Sequence, residues 1–294
     1  MPPASQDNKF VRGKGEWLFL DNDSNKVNQQ ISGKLQLPGK KIKQWHLLLE
    51  MRAAWLKTKG AAYFFLVSPT KACVYPEFLP PTISLSDRRC IIQLGKYLYQ
   101  QSAAVVPIYP LRELEAAKQE QSVYPIKDTH WNKLGAFVGY QSLIEKVAAQ
   151  HRVRVLTKAD IVFTECVLEN SDLGSKIGSP EDMTVSAKIT DKYARVVFHN
   201  EVSNRGKLLI FENTKYKYLP KGVIFRDSFS NMMLEFLAES FSRLVAVWQP
   251  NIDYDIILKE RPDIVISQQA ERFIFQVPDD LKGQSNPEIV ASKL

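Results

Sequence analysis

Apolar positions along the 294-residue chain alternate between helical spacing and short unbroken runs. Residues 40–59, KKIKQWHLLLEMRAAWLKTK, put Trp45, Leu48, Leu49, Trp55 and Leu56 on one helical face. Gly60 follows where a glycine commonly ends a helix. AAYFFLVSP (61–69) is then apolar without interruption until Pro69, as expected for a strand buried on both faces. Ser86 is placed to cap a helix over 87–101, AAVVPIY (103–109) reads as the next strand, and LRELEAAKQE (111–120) as a short helix. A longer helix over about 132–149 carries Leu134, Phe137, Val138, Ile144, Val147 and Ala148 on one side.

The middle of the chain, 152–205, is rich in Val, Thr, Lys and Ser, with a turn-forming stretch at SDLGSKIGSPED (171–182). YARVVFHN (193–200) and GKLLIFEN (206–213) read as a β-pair. The α/β rhythm then resumes with GVIF (222–225) as a strand, a helix over 229–243, LVAVW (244–248), a helix near 252–260 and DIVIS (263–267). Strands alternating with helices at both ends predict an α/β fold, a doubly wound and mostly parallel sheet flanked by helices. The expected organisation is one domain over 1–294, with a β-rich insertion at about 152–215.

Composition narrows the function. No apolar run approaches the roughly 18 residues of a membrane span. The N-terminal MPPASQDNKFVRGKGEWLFL lacks the apolar core of a signal peptide, so the sequence as it stands reads as cytoplasmic; a trimmed exported chain, periplasmic or extracellular, would read the same. Cys73, Cys90 and Cys166 are odd in number and lack CxxC spacing, which argues against a disulfide framework and a zinc site. The net charge of +7 comes from lysines and arginines spread along the chain with no dense block, which argues against nucleic acid and suits an acidic glycan or the charged surroundings of a membrane equally well, or simply solubility.

Ligands in open α/β sheets gather at the carboxyl ends of strands, and Ser228 lies there, after GVIFRD and before a helix. It reads either as a helix cap, shared with Asp227, or as a nucleophile beside backbone N–H groups able to receive an oxyanion. Four histidines are available as a base. His46 lies within a helix, His151 at a helix end, and His199 at a strand end with no carboxylate near it in sequence. His130 stands two residues after Asp128 in YPIKDTHWNKLGAF; in an extended segment such side chains share a face, so the carboxylate can orient the imidazole. The alternative is that Asp128 or Thr129 caps the 132–149 helix. No HxxxH or HxxE spacing supports a metal site, and GKGEW (13–17) is not a phosphate-binding loop.

Taken together, GKGEWLFLDND, FFLVSPTKACVYPEFLP, YPIKDTHWNKLGAF, SDLGSKIG, LPKGVIFRDSFSNMMLEFLAESFSRLVAVW and RPDIVISQQAERF resemble, in order and spacing, the SGNH-hydrolase-like alginate O-acetyltransferases of the AlgX/AlgJ type and related exopolysaccharide acetyltransferases. The resemblance implies an SGNH-like α/β fold with Ser228 as nucleophile, His130 as base and Asp128 orienting it. The order Asp-x-His before Ser is the permuted arrangement of that family. Some members carry Gly where this chain has Arg226, a position expected beside an anionic substrate or paired with Asp227.

What the resemblance implies for function is O-acetyl transfer to glycan hydroxyls through an acetyl-serine, with an acetyl donor but no cofactor and no metal. Lys71, Tyr75, Trp131 and Arg226 are candidates for lining the glycan cleft; the alternative is packing or solvent exposure, with Lys71 a solvated loop lysine and Tyr75 and Trp131 core aromatics. Expected partners are a glycan or exopolysaccharide and a membrane acyltransferase or polysaccharide export complex, not nucleic acid. The competing readings are an acetyl esterase with the same three residues and a non-catalytic glycan-binding factor.

Overall fold

The structure, a computed structural model, describes residues 9–21 and 24–293. Outside them lie the start of the stretch read for an export signal and the last two residues of GKGEWLFLDND. The first half of the chain runs through strands β1 (Phe10–Arg12) and β2 (Leu18–Leu20), helices α1 (Val27–Ile31) and α2 (Gly39–Thr58), strand β3 (Ala62–Ser68), and helices α3 (Lys71–Val74), α4 (Cys90–Gln100), α5 (Leu111–Ala117) and α6 (Lys133–Ala148). Strands β4 (Ile161–Leu168), β5 (Asp182–Ile189), β6 (Ala194–His199), β7 (Leu208–Asn213) and β8 (Lys221–Arg226) follow. Helix α7 (Leu234–Glu239), strand β9 (Arg243–Trp248), helix α8 (Tyr254–Glu260), strand β10 (Ile264–Ala270) and helix α9 (Asn286–Ala291) complete the described elements.

The central sheet has the order β3-β10-β8-β9-β7-β6. The first four strands are mutually parallel, while β7 runs antiparallel to β9 and β6 antiparallel to β7. The fold is therefore α/β with a mixed, mostly parallel sheet. Alternation along each strand feeds two cores. Phe64, Leu66, Ile224, Ile264 and Ile266 face a cluster with Phe137, Tyr140, Ile144, Phe236 and Leu237 of α6 and α7. Phe65, Val67, Val223, Val265 and Val245 face the other side, where α2, α4 and α8 contribute Trp45, Leu49, Leu94, Leu98 and Ile257. Every residue of β10 is buried, the apolar Ile264–Ile266 as well as the polar Ser267, Gln268 and Gln269.

Several expectations change at this level. Residues 103–109 form no strand: only Ile108 bridges β3, at Leu66. Pro107 has no N–H to donate, and Ser102 before it turns through φ 51°. Ser86 does not cap α4, which begins at Cys90 after Arg89; the Ser86 hydroxyl accepts instead from the Arg88 N–H at 3.0 Å. The helix expected over 229–243 splits into a tight 3-10 turn at Ser228–Met232 and α7, with β9 starting at Arg243. The middle segment also divides. Strands β4 and β5 make a separate hairpin, whereas β6 and β7 extend the main sheet.

Candidate active site

The carboxyl ends of β3, β8 and β10 lie side by side, with Ser68 opposite Ala270 in register. At the end of β8 the chain enters its tight turn through Asp227. One Asp227 oxygen accepts from the Phe229 N–H at 2.9 Å and the other from the Ala270 N–H at 2.6 Å. The Asp227 N–H donates to Gln268 Oε1 at 3.1 Å, and the Ser230 hydroxyl donates to the same oxygen at 2.7 Å. The turn is thus pinned to β10 at both Asp227 and Ser230, which tightens its first residues. Asp227 does the capping, so the Ser228 hydroxyl is not spent on the turn.

That hydroxyl lies 2.8 Å from His130 Nε2. His130 Nδ1 is 3.0 Å from Asp128 Oδ1, and the same oxygen accepts the His130 backbone N–H at 2.8 Å. The second Asp128 oxygen accepts from the Asp172 N–H at 2.9 Å. Burial pushes the Asp128 carboxyl up, but the hydrogen bonds and charge of His130 and the Asp172 N–H outweigh it and hold the group below its ordinary value. An ionised Asp128 can hold the imidazole with an Nδ1–H toward it, an arrangement in which Nε2 could take a proton from Ser228.

The loop bearing these residues is fixed from several directions. Asn132, not Asp128 or Thr129, caps α6: its Oδ1 accepts from the Gly135 N–H at 3.0 Å, while its Nδ2 donates to the Ser122 carbonyl at 2.6 Å. Asp128 is released from the capping role that competed with its pairing to His130. Trp131 is buried, and its indole N–H donates to the Phe229 carbonyl at 2.8 Å, joining the His130 loop directly to the Ser228 turn. Gly139 gives this indole its space, since an added Cβ would stand 2.7 Å from the ring.

Lys71 and Tyr75 are buried as well, and this corrects their expected place on a glycan-lining surface. Lys71 Nζ donates to the carbonyls of Ile126 and Asp128, both at 2.7 Å, and of Pro125 at 3.2 Å. Burial lowers its pKa to about 7 against the pull of Asp128, Asp172 and Asp182. Its contacts are with the backbone of the Asp128 loop, beneath the site. The Tyr75 hydroxyl accepts from the Val123 N–H at 3.0 Å, at the start of the same loop. Trp131 is likewise a strut between loops, not an exposed platform.

Arg226 is also almost wholly buried, but it forms part of a cavity wall. Its guanidinium lies 4.4 Å from the centre of the Trp248 ring and donates through Nη1 to Asn231 Oδ1 at 2.6 Å. The contact to Asp227 is to the backbone carbonyl, at 3.1 Å, and not to the carboxylate. Burial lowers the Arg226 pKa to about 10, with Asp227 opposing, so the group keeps its charge at neutral pH.

Two of the other three histidines lie near carboxylates of their own. His46 lies 3.7 Å from Glu50 and, contrary to the sequence expectation, His199 lies 3.4 Å from Glu201. Neither contact involves Ser228. Sequence reading also passed over Asp172: its Oδ1 accepts from the Thr129 N–H at 2.7 Å, and its Oδ2 stands 3.9 Å from His130 Nδ1. Its signal was the SDLG turn, which carried no chemical role until the fold brought it beside Asp128. Asp128, His130 and Asp172 could offer a metal three atoms within 4.8 Å of one another. Both Asp128 oxygens already accept hydrogen bonds, and His130 Nδ1 faces one of them, so the set is committed to itself.

Residues 10–245 match the family model described as "SGNH hydrolase-like domain, acetyltransferase AlgX". A curated relative, the probable alginate O-acetylase AlgJ of Pseudomonas syringae pv. tomato, is 30% identical over 144 residues. That stretch is 47% of this chain and spans about a third of the relative, 33% of its length. Among solved structures, PatB1 of Bacillus cereus is similar with a TM-score of 0.70 at 17% identity, over 94% of this chain and 99% of that one. The O-acetyltransferase domain of Pseudomonas putida AlgJ gives 0.61 at 16% identity, over 96% and 98% of the two chains. At these identities the structural likeness shows a shared fold. Among the described residues, no helix is long and apolar enough to cross a membrane.

Proposed function

The chain belongs to the SGNH hydrolase-like, AlgX-type acetyltransferase family, and from that premise we propose that it transfers an acetyl group to a hydroxyl of a polysaccharide through an acetyl-serine at Ser228. The observation that carries the reading is the hydrogen-bonded line Asp128–His130–Ser228, with 3.0 Å at the first joint and 2.8 Å at the second. The name of the AlgJ relative, an alginate O-acetylase, supports a polysaccharide acceptor.

In the first half-reaction His130 Nε2 takes the Ser228 proton as Oγ attacks the donor's acetyl carbonyl. The imidazolium formed is stabilised by the Asp128 carboxylate at Nδ1. The tetrahedral oxyanion is received by backbone N–H groups of the turn that starts at Ser228, and the leaving group departs with the proton from His130. In the second half, a sugar hydroxyl gives its proton to His130 as its oxygen attacks the acetyl-serine carbonyl, and when the bond to Oγ breaks His130 passes that proton to the Ser228 oxygen, restoring the hydroxyl. No metal enters this sequence of steps.

The test is intact mass after exposure to a small acetyl ester such as 4-nitrophenyl acetate. A gain of one acetyl group in the wild type and none in Ser228→Ala is expected. An adduct that persists in the variant would remove Ser228 from the mechanism. Adding oligosaccharides then separates transfer from hydrolysis: an acetylated sugar supports the proposal, and acetate alone supports an esterase. Absence of any adduct across several donors would favour a glycan-binding protein without catalysis.

A further inference from the structure

The β4–β5 hairpin stands apart from the main sheet, yet the stretch between its strands, 169–181, reaches the loop that carries His130. The hairpin is seated on α6: Phe163 lies against Phe137 with ring centres 5.6 Å apart, and Val185 and Ile189 are buried in the same core. Hydrogen bonds then join the two segments residue by residue. The Lys127 N–H donates to Asp182 Oδ2 at 2.5 Å, and the Lys127 carbonyl accepts from the Leu173 and Gly174 N–H groups, each at 3.0 Å. Asp172 is bonded twice. Its Oδ1 accepts from the Thr129 N–H at 2.7 Å, and its own N–H donates to Asp128 Oδ2 at 2.9 Å. The first bond fixes the backbone just before His130; the second sets the plane of the carboxylate whose other oxygen faces His130 Nδ1.

The turn holding Asp172 has little play. Ser171 donates both its N–H and its hydroxyl to the Pro180 carbonyl, at 2.9 and 2.7 Å. A Cβ on Gly174 would stand 2.2 Å from Ser171 Oγ and 2.4 Å from the Ser179 carbonyl, so the close approach there requires glycine. The second Asp172 oxygen is 3.9 Å from His130 Nδ1, beyond hydrogen-bond reach, and its side chain is 39% exposed. Asp172 therefore acts through Thr129 and Asp128 and not on the imidazole itself. We propose that Asp172 is a positioning residue for the Asp128–His130 pair, and that the β4–β5 insertion serves to deliver it. On the acetyl-transfer reading, on which this rests, the clamp keeps His130 Nε2 in line with Ser228.

The experiment compares Asp172→Ala, which removes the acceptor of the Thr129 N–H, with Asp172→Asn, whose amide oxygen can replace it without the charge. Both are followed by intact mass over a range of 4-nitrophenyl acetate concentrations. Asp172→Ala is expected to acylate about a hundredfold more slowly at saturating ester, with the half-saturating concentration unchanged and the final extent still one acetyl group per chain. Asp172→Asn is expected to recover most of that loss. An Asp172→Ala rate close to wild type overturns the proposal. So does an asparagine variant as slow as the alanine one, since the charge and not the clamp would then matter. A reduced extent of acetylation at the wild-type rate also overturns it, being the mark of a partly unfolded population. Should Asp172→Ala fail to fold, Asp172→Glu keeps the charge but moves the oxygens by one methylene, and it is expected to be slow as well; a wild-type rate there overturns the proposal.

A second readout needs no acylation: the downfield Nδ1 proton of His130 in NMR spectra of the full chain, assigned by its absence in His130→Gln. It is expected in the wild type and in Asp172→Asn, and lost to exchange in Asp172→Ala. Its persistence in Asp172→Ala refutes the positioning role. If the wild type forms no adduct, the transfer reading falls and this resonance still decides on Asp172.

Discussion

Replacing Lys71 by methionine tests whether a side chain beneath the site sets its geometry. Methionine is close in shape and removes three hydrogen bonds, those to Pro125, Ile126 and Asp128. Leaving buried carbonyls without donors costs about 1–3 kcal/mol each. The opposing effect is of similar size. A pKa lowered from 10.5 to about 7, at about 1.4 kcal/mol per pH unit, means the buried ammonium costs ~5 kcal/mol relative to the unfolded chain. The two effects nearly cancel, so the urea midpoint at pH 6 is expected to change little, by ~2 kcal/mol or less in stability. The activity does not share that cancellation. Freed from Lys71, the Asp128 carbonyl and the loop it heads shift relative to Ser228, and a displacement of about 1 Å costs roughly a hundredfold in rate. The assay is the rate of acetyl-serine formation followed by intact mass, beside urea denaturation from pH 6 to 9. Between pH 7 and 10.5 the unfolded wild type holds a proton that the folded protein has released. Wild-type stability therefore rises with pH across that window relative to the variant. A variant that acylates within threefold of wild type, or whose stability gap to wild type does not change with pH, refutes the reasoning.

Three further outcomes follow from the geometry. Ser228→Ala should leave stability within about 0.5 kcal/mol of wild type, whereas Asp227→Ala strips two backbone N–H groups of their acceptor and should cost about 2–4 kcal/mol by urea denaturation. Asp128→Asn should lower the acylation rate by about 10⁴ through the wrong imidazole tautomer. Because the folded Asp128 pKa lies below its ordinary 3.8, its stabilising contribution is complete above that value and disappears as pH falls through the folded pKa. The stability gap between wild type and Asp128→Asn should narrow over that acid range, and a constant gap would show that the pairing is not electrostatic. Gly139→Ala drives a methyl into the Trp131 indole and should cost about 1–3 kcal/mol, measured as a fall in thermal midpoint; an unchanged midpoint would mean that the ring moves aside freely.

The parallel part of the sheet was legible because β3, β9 and the first half of β10 are buried on both faces and read as apolar runs. Residues 103–109 have the same composition but contain Pro107, and composition does not report which backbone N–H a ladder needs. The pairing of Asp128 with His130 was readable from a two-residue spacing, and so was Ser228 at a strand end. The roles of their neighbours were not. Lys71 looks like any loop lysine in sequence, and only the tertiary fold wraps three carbonyls of a loop more than 50 residues away around it. Cap assignment was equally invisible, since Asp227 and Ser228 are both good caps. The choice fell to Asp227 because its second oxygen also satisfies Ala270.

That division of labour between Asp227 and Ser228 has an evolutionary side. The turn's folding instructions reside in one residue and its proposed chemistry in the next, so a single substitution at 228 could silence a descendant without disturbing its architecture. Selection could therefore discard the proposed turnover while retaining a folded cleft, a change one mutational step from this chain. In the laboratory the same separation makes Ser228→Ala a natural choice for trapping an acceptor, because nothing that holds the turn in place is lost with the hydroxyl.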